Sequence, residues 1–289
     1  MISILIPTFN YDASTLVRDF CSLAKRELVD YEIIIGDDAS TEPQPWLDEI
    51  AKLPHVSVLR ATTNQGRARN LNGMADAAKG EWLLIVDCDA RIESDFSLHL
   101  YINAAYLAPV VCGGLRHPSV NPNPAATLRY KYERHADRVR GAEYREEEPY
   151  DHLSTFNIFV SHKVFNKVRF DEQCTDYGYE DTLFGADLQA HAYLIQHIDN
   201  PLVHIGLEDN ATYLMKVETA LHTLKRIHER LGSYSRVEAT SNKLRRLRLA
   251  SLVVLGHKLY GQLLRRNLLG RHPSLAFFQL YKLGYYLSL

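Results

Sequence analysis

The sequence predicts an α/β fold, a mostly parallel sheet with helices on both faces, followed by a helical C-terminal extension. Three observations carry this. Short apolar, β-branched runs alternate with stretches of helical spacing over the first hundred residues. Those runs are apolar at successive positions, as strands covered on both faces must be. From Asn210 onward only the helical period remains.

In order, residues 2–6 form a first strand, ended by Pro7. Residues 14–28 place Leu16, Val17, Phe20, Leu23 and Ala24 at helical spacing, with Ser14 as the expected N-cap. A second strand at 31–36 is cut off by Asp37-Asp38. A short helix at 46–53, a strand at 56–61 and a helix at 65–79 follow. The fourth strand, WLLIV at 82–86, ends at Asp87. Alternation of this kind implies a parallel sheet in a layered α/β domain. Residues 116–153 differ: HPSVNPNP is a turn-rich break, and 129–151 are dense in charge, which predicts a partly helical, mobile insertion at the rim of the site. Strands at 156–160 and 193–198 come next, then helices at 213–231 and 243–269 and a short last one.

At 289 residues, 46% hydrophobic and 24% charged, the chain has the composition of a soluble globular protein with a sizeable core. A net charge of −2 excludes an all-over basic nucleic-acid binder, so no nucleic-acid partner is expected. The charge is unevenly placed. No acidic residue follows Glu238, so 239–289 carry +9 against −11 before them. A basic, apolar tail suits an anionic membrane face, with basic and apolar residues alternating at helical spacing as in interfacial helices. A helical subdomain packed on the rest of the chain, or on a homodimer partner, is the alternative. Cys21, Cys88, Cys112 and Cys174 show no CxxC spacing and fit free thiols in a reducing compartment. The N-terminus lacks the basic start of a signal peptide, and no stretch reaches the about 18 charge-free apolar residues of a spanning helix. The expectation is a cytoplasmic protein, placed at the inner membrane face if the tail binds lipid.

Ligands of open parallel sheets sit beyond the carboxyl ends of the strands. Two acidic clusters fall at such ends, Asp37-Asp38 and Asp87-Cys88-Asp89. Helix capping is the alternative for Asp37-Asp38 alone. The DxD spacing lets one carboxylate reach a divalent ion while the other orients a ribose or a ligating water. Oxygen ligands of this kind suit Mn²⁺ or Mg²⁺ shared with substrate phosphates.

In this order, ISILIPTFN, IIIGDDAST, NQGRARN, WLLIVDCDA and YGYEDTLFG resemble the motifs of the family 2 glycosyltransferases, which have the GT-A fold. The resemblance covers about residues 1–210 and implies a catalytic domain there, with nucleotide-sugar binding in 1–115, the acceptor and catalytic part in 116–210, and a basic helical region at 211–289. It implies that Pro7, Thr8 and Asn10 line a nucleotide pocket, that Asp38 accepts a hydrogen bond from the base, and that Asp37 is more structural. Asp87 would contact ribose, and Asp89 would bind a metal that bridges the diphosphate. Glu180-Asp181 resembles the family's ED motif, with Asp181 as catalytic base in an inverting displacement. A first-turn stabilising role is the alternative for Asp181. The family's arginine–asparagine pair matches Arg69-Asn70, or Asn72 with Leu71 at the arginine position. Arg67 or Arg69 is expected near the nucleotide, or else exposed at a helix start. His204 resembles the late histidine at the metal or diphosphate, with a packed core residue as the alternative. Ser154, Thr155 and Asn157 fall where the family shapes its acceptor site, and Gly113-Gly114, with Arg116 and His117, would border it. The implied donor is a UDP-sugar, and the acceptor a glycan or lipid-linked glycan of bacterial surface or capsular polysaccharide. A catalytically degenerate binding scaffold and a sugar-phosphate nucleotidyltransferase are the rivals. IPTFNYDAS offers no glycine-rich phosphate loop for the latter, and neither GxGxxG nor GxxxxGK[ST] occurs.

Overall fold

The computed structural model describes residues 1–137, 141–174, 177–231 and 235–289. Residues 138–140 of the predicted charged insertion and 232–234 of the predicted tail lie outside them. The chain divides into two compact units. The first takes in Met1–Arg116, Val139–Thr175 and Phe184–Gly206, and the second His117–Arg138, Asp176–Leu183 and Leu207–Leu289.

The strands of the first unit are β1 (Ile2–Thr8), β2 (Tyr31–Asp37), β3 (Val56–Arg60), β4 (Trp82–Val86), β5 (Ala90–Arg91), β6 (Val110–Cys112), β7 (Leu115–Arg116), β8 (Asn157–Ser161), β9 (Ile195–His197) and β10 (Leu202–His204). Seven form a sheet in the order β3-β2-β1-β4-β8-β6-β9. β1 runs parallel to both β2 and β4, with Ile2 opposite Tyr31 on one side and Trp82 on the other, while β8 is antiparallel to β4 and β6. A small second sheet, β5-β10-β7, pairs Ala90 with His204.

The two-residue period of the strands feeds two cores. Ile4 and Ile6 of β1, Ile33 and Ile35 of β2, and Leu84 and Val86 of β4 point to one face, where they meet Phe20 and Leu16 of α1 (Ser14–Arg26). Leu5, Ile34, Leu83 and Ile85 point to the other, against Leu71 and Met74 of α3 (Arg67–Ala77). Each such fully buried aliphatic side chain contributes about 1.5–3 kcal/mol. α2 (Pro45–Ile50) and α4 (Leu98–Ala104) add Leu47 and Tyr101 to the first face. Trp82 stacks on Phe159 with ring centroids 4.8 Å apart.

Ser14 is not the N-cap expected of it. It takes the first helical position after Ala13, and its amide is accepted by Asp12 Oδ1 at 2.8 Å. The acidic side chain two residues upstream reaches the free N–H first.

The second unit is helical: α5 (Thr127–Ala136), then, after α6 (Ala142–Glu146) and α7 (His162–Phe165) of the first unit, the opening turn of α8 (Glu180–Ala190), and α9 (Asn210–Leu231), α10 (Arg236–Arg246), α11 (Ala250–Leu268) and α12 (Leu275–Ser288). Its core joins Leu128, Tyr213, Leu214, Leu268, Phe278 and Tyr281. The single helix predicted at 243–269 is two. Arg248 turns left-handed at φ 58°, and the Leu249 amide bonds back to the Leu244 carbonyl at 2.9 Å, closing α10 as a Schellman-type turn closes a helix. No helix among the described residues is long and apolar enough to cross a membrane.

At the β9 end of the first unit, buried Arg145 donates to His197 Nδ1 at 2.7 Å and to the Cys112 and Ile198 carbonyls at 3.1 and 2.8 Å. With Nδ1 accepting, Nε2 donates to the Pro149 carbonyl at 2.9 Å, which fixes a neutral tautomer. Burial, assisted by the Arg145 charge, holds His197 down to about 4. A depressed histidine stabilises the fold fully above its unfolded value near 6.5 and loses that contribution as pH falls toward 4. The expected loss is of order 3 kcal/mol between pH 7 and pH 4. Urea midpoints of the wild type should fall across this range more steeply than those of His197→Asn.

Candidate active site

Because β1, β2 and β4 are parallel, their carboxyl ends reach one edge of the sheet, and the acidic clusters emerge there side by side. Asn10, at φ 50°, ties two of these ends together. Its Oδ1 accepts the Thr41 and Glu42 amides at 2.9 and 3.0 Å, and its amide donates to the Ser40 hydroxyl. Pro7 lies in β1 opposite Gly36, and the Thr8 hydroxyl donates to the Tyr11 carbonyl.

The paired aspartates after β2 divide their work. Asp37 Oδ1 accepts the Ser40 hydroxyl at 2.6 Å and its amide at 3.1 Å, a local turn within its own loop. Asp38 reaches 27 residues on. Its Oδ1 and Oδ2 accept the Gln65 and Gly66 amides, each at 2.8 Å, at the entrance to α3. Each oxygen keeps a further lone pair.

The arginines of NQGRARN separate clearly. Arg67 bonds Asp87 at 2.6 Å, touches the Thr155 carbonyl at 3.3 Å and lies over the Phe170 ring. Arg69 turns away to Glu172 at 3.1 Å. Of the two candidate asparagines, Asn70 donates to the Gly36 carbonyl, while Asn72 is buried and both donates to and accepts from the Phe170 backbone. Phe170 and Glu172 therefore anchor α3, through Asn72 and Arg69.

Asp89 and His204 come together across 115 residues, with Oδ2 and Nε2 2.9 Å apart. The β5-β10 pairing brings them there, with the Ile205 amide on the Asp89 carbonyl at 3.0 Å. His204 is 5% exposed and meets the Phe156 ring edge-on. A side chain on Gly206 would run into the Asp89 carboxylate, so glycine is what lets the two strands close on it. A carboxylate oxygen and an imidazole nitrogen are both ligands that Mn²⁺ accepts, and about 3 Å is the spacing of neighbouring ligands held about 2.1 Å from one ion. The donor set fits a divalent cation.

Two neighbours of Asp89, Tyr11 and Cys88, receive no role at the site from the sequence, where Cys88 reads only as a free thiol. Burial, with the Asp89 charge next in size, pushes the Tyr11 phenol up to about 12. Burial, together with the flanking Asp89 and Asp87, pushes the Cys88 thiol well above its ordinary range, and the thiol is hydrogen-bonded to Thr8.

Ser154 and Gly114 line one cavity of about 270 Å³ with Leu115, Arg145 and His152. Asn157 does not face open space. It is 1% exposed; its Nδ2 donates to the Gly114 and Asn200 carbonyls and its Oδ1 accepts from the Tyr101 hydroxyl, so it holds the turn that walls the cavity. Arg145 lies inside a charged run that gives no sign of its burial. Arg116 pairs with Asp95 at 2.7 Å. In the second unit, His117 lies between Glu133 and Asp137, at 2.5 and 2.8 Å. Glu180 and Asp181 open α8 there, and both Glu180 oxygens accept the Gly178 amide, at 3.1 and 3.0 Å.

Residues 3–168 match the family described as glycosyl transferase family 2. An uncharacterized glycosyltransferase of Haemophilus influenzae is 37% identical over 89 residues, which are 31% of this chain and 29% of that protein. The matched stretch thus spans under a third of the relative's length. Among solved structures, residues 1–349 of S. aureus TarS in complex with UDP-GlcNAc superpose with a TM-score of 0.51 at 18% identity, covering 88% of this chain and 79% of that one. Mannosyltransferase PcManGT from Pyrobaculum calidifontis, in complex with GDP-Man and Mn²⁺, gives 0.53 at 15% identity, covering 99% and 84%. The fold is thus that of the GT-A glycosyltransferases, an α/β domain with a mainly parallel sheet and a helical C-terminal region.

The Cys88 environment has a direct readout. A thiol held protonated by burial and two carboxylates reacts slowly, because the thiolate is the nucleophile. Iodoacetamide at pH 8.5 should label Cys88 at least about tenfold more slowly in the native protein than in urea, as followed by peptide mass spectrometry.

Proposed function

The chain belongs to glycosyl transferase family 2, and we propose that it moves a sugar from a nucleotide-sugar to an acceptor hydroxyl of a growing glycan, with inversion and with Mn²⁺ or Mg²⁺ as cofactor. One observation carries the reading. The Asp89–His204 pair and the Arg67–Asp87 pair stand on the same short loop after β4, at the edge where β1 and β2 also end.

In this reading Pro7, Thr8 and Asn10 shape the floor under the nucleoside, and Asp38 offers its remaining lone pairs to a base N–H. Asp37 holds the loop. Asp87 accepts from the ribose, oriented by Arg67, whose charge also favours a diphosphate. Arg69, committed to Glu172, acts on the helix rather than on the nucleotide. Asp89 and His204 would hold the cation, which supplies neutralisation of the charge developing on the leaving diphosphate. The acceptor oxygen attacks the anomeric carbon on the face opposite the diphosphate. The new C–O bond forms as the bond to the phosphate oxygen breaks, and the acceptor proton passes to the Asp181 carboxylate. Glu180, bound to the Gly178 amide, fixes the turn from which Asp181 projects. Ser154 and the turn held by Asn157 border the acceptor. UDP is the first nucleotide to test, since the TarS structure holds UDP-GlcNAc. The acceptor class is a surface or capsular glycan, free or lipid-linked, built in the cytoplasm.

A donor-hydrolysis screen over UDP- and GDP-sugars, with Mn²⁺, Mg²⁺ or chelator, should single out one donor and show loss of turnover on chelation. Asp89→Ala should also lose Mn²⁺ binding as read by the spin resonance of the free ion; unchanged binding would remove Asp89 from the metal site. Asp181→Asn should bind donor normally and lose about 10²–10⁴-fold in transfer; surviving transfer would place the base elsewhere.

A further inference from the structure

α11 has two unlike faces. One lies against α12, where Gly284 comes so close to His257 that any side chain there would strike the imidazole. The opposite face carries Leu252, Leu255, Leu259 and Leu263, which are 63, 53, 64 and 62% exposed. Their spacing keeps them on one side of the helix, in a stripe about 16 Å long. Single exposed leucines are ordinary on a soluble protein, but four in line on one helix are a patch.

The charges around the stripe all have one sign. Arg248 precedes it, Arg266 follows it, and Lys258 lies beside it, all exposed. Arg245 and Arg246 at the end of α10 add to them. None of these five has a carboxylate partner among the described residues, and residues 239–289 contain no Asp or Glu. The combination is that of an interfacial helix, with an apolar stripe at the depth of the acyl boundary and cations at the depth of the phosphates.

We propose that the leucine stripe of α11 docks on a bilayer surface rich in anionic lipid. The other occupant an apolar stripe could take is a second copy of this chain. A two-fold contact sets the same face against itself. It would bring the arginines of α10 and α11 toward their own counterparts, with no carboxylate in the segment to offset the repulsion. An anionic lipid surface supplies the missing charge. This inference stands apart from sugar transfer, since none of its residues belongs to the proposed donor site.

The test is co-sedimentation of the full chain with phosphatidylcholine vesicles, with and without phosphatidylglycerol. Binding is expected only when phosphatidylglycerol is present and should fall as salt rises. Arg248→Gln and Arg266→Gln should each lower the partition coefficient roughly fivefold. Leu255→Gln/Leu259→Gln should lower it at low salt while leaving circular dichroism and donor hydrolysis unchanged. Equal binding to neutral vesicles would overturn the electrostatic part, and no binding to either would overturn the whole. A dimer in sedimentation equilibrium that Leu255→Gln/Leu259→Gln dissociates, with no vesicle binding, would assign the stripe to a second copy instead.

Discussion

The geometry depends on β1 running parallel to both of its neighbours. Parallel strands buried on both faces need apolar side chains at every position, so polar chemistry has nowhere to go but the strand ends. In this chain β4 is apolar through Val86 and acidic at Asp87, and β2 is apolar over residues 33–35 before Gly36 and Asp37. Ser3 of β1 and Glu32 of β2, at the other end of the strands, bond each other. The shared register then delivers three such ends to one edge. The loops after β2 and β4 inherit their mutual positions from a hydrogen-bond ladder that contains neither Asp38, Asp87 nor Asp89.

What the edge does with its carboxylates is less uniform than their spacing suggests. Asp38 satisfies two backbone amides, Asp37 a turn, Asp87 a guanidinium and Asp89 an imidazole. Buried or half-buried polar groups must find partners, because an unsatisfied one costs about 1–3 kcal/mol. Structural and functional roles for such groups are therefore not alternatives. A carboxylate that already holds a loop with one lone pair presents the other in a fixed direction, which is the preorganisation a binding site requires.

Much of this was legible in the sequence, for identifiable reasons. The first four strands were readable from their apolar runs, and Asp87 marks the end of β4; Pro7 does not end β1, which continues to Thr8 with Pro7 opposite Gly36, and β2 takes in Asp37. The placement of the acidic clusters followed from the strand ends. Side-chain partnerships were harder. Arg67 and Arg69 look alike in NQGRARN, and only the turn of α3 sends one to Asp87 and the other to Glu172. Arg145 sits in a run of charges whose composition predicts exposure, yet it is buried, bonded to the Cys112 carbonyl of β6 and the Ile198 carbonyl just after β9. The break between α10 and α11 carries no glycine or asparagine to announce it, since Arg248 adopts the left-handed turn itself. Ser14 lost its expected cap role because Asp12 offers a stronger acceptor two residues earlier.

Cys88 stands between two carboxylates in the loop after β4, where the proposed cation would sit, and a thiolate is a donor that zinc and copper prefer to oxygen. Its proton is held by burial and by the charges on either side, and the sulfur is engaged with Thr8. A soft metal entering the loop would first have to strip that proton against both aspartates. The carboxylates on either side of it are engaged with Arg67 and with the His204 imidazole. The residue in the middle of the motif thus stays a neutral neighbour of both aspartates and adds no third negative charge between them.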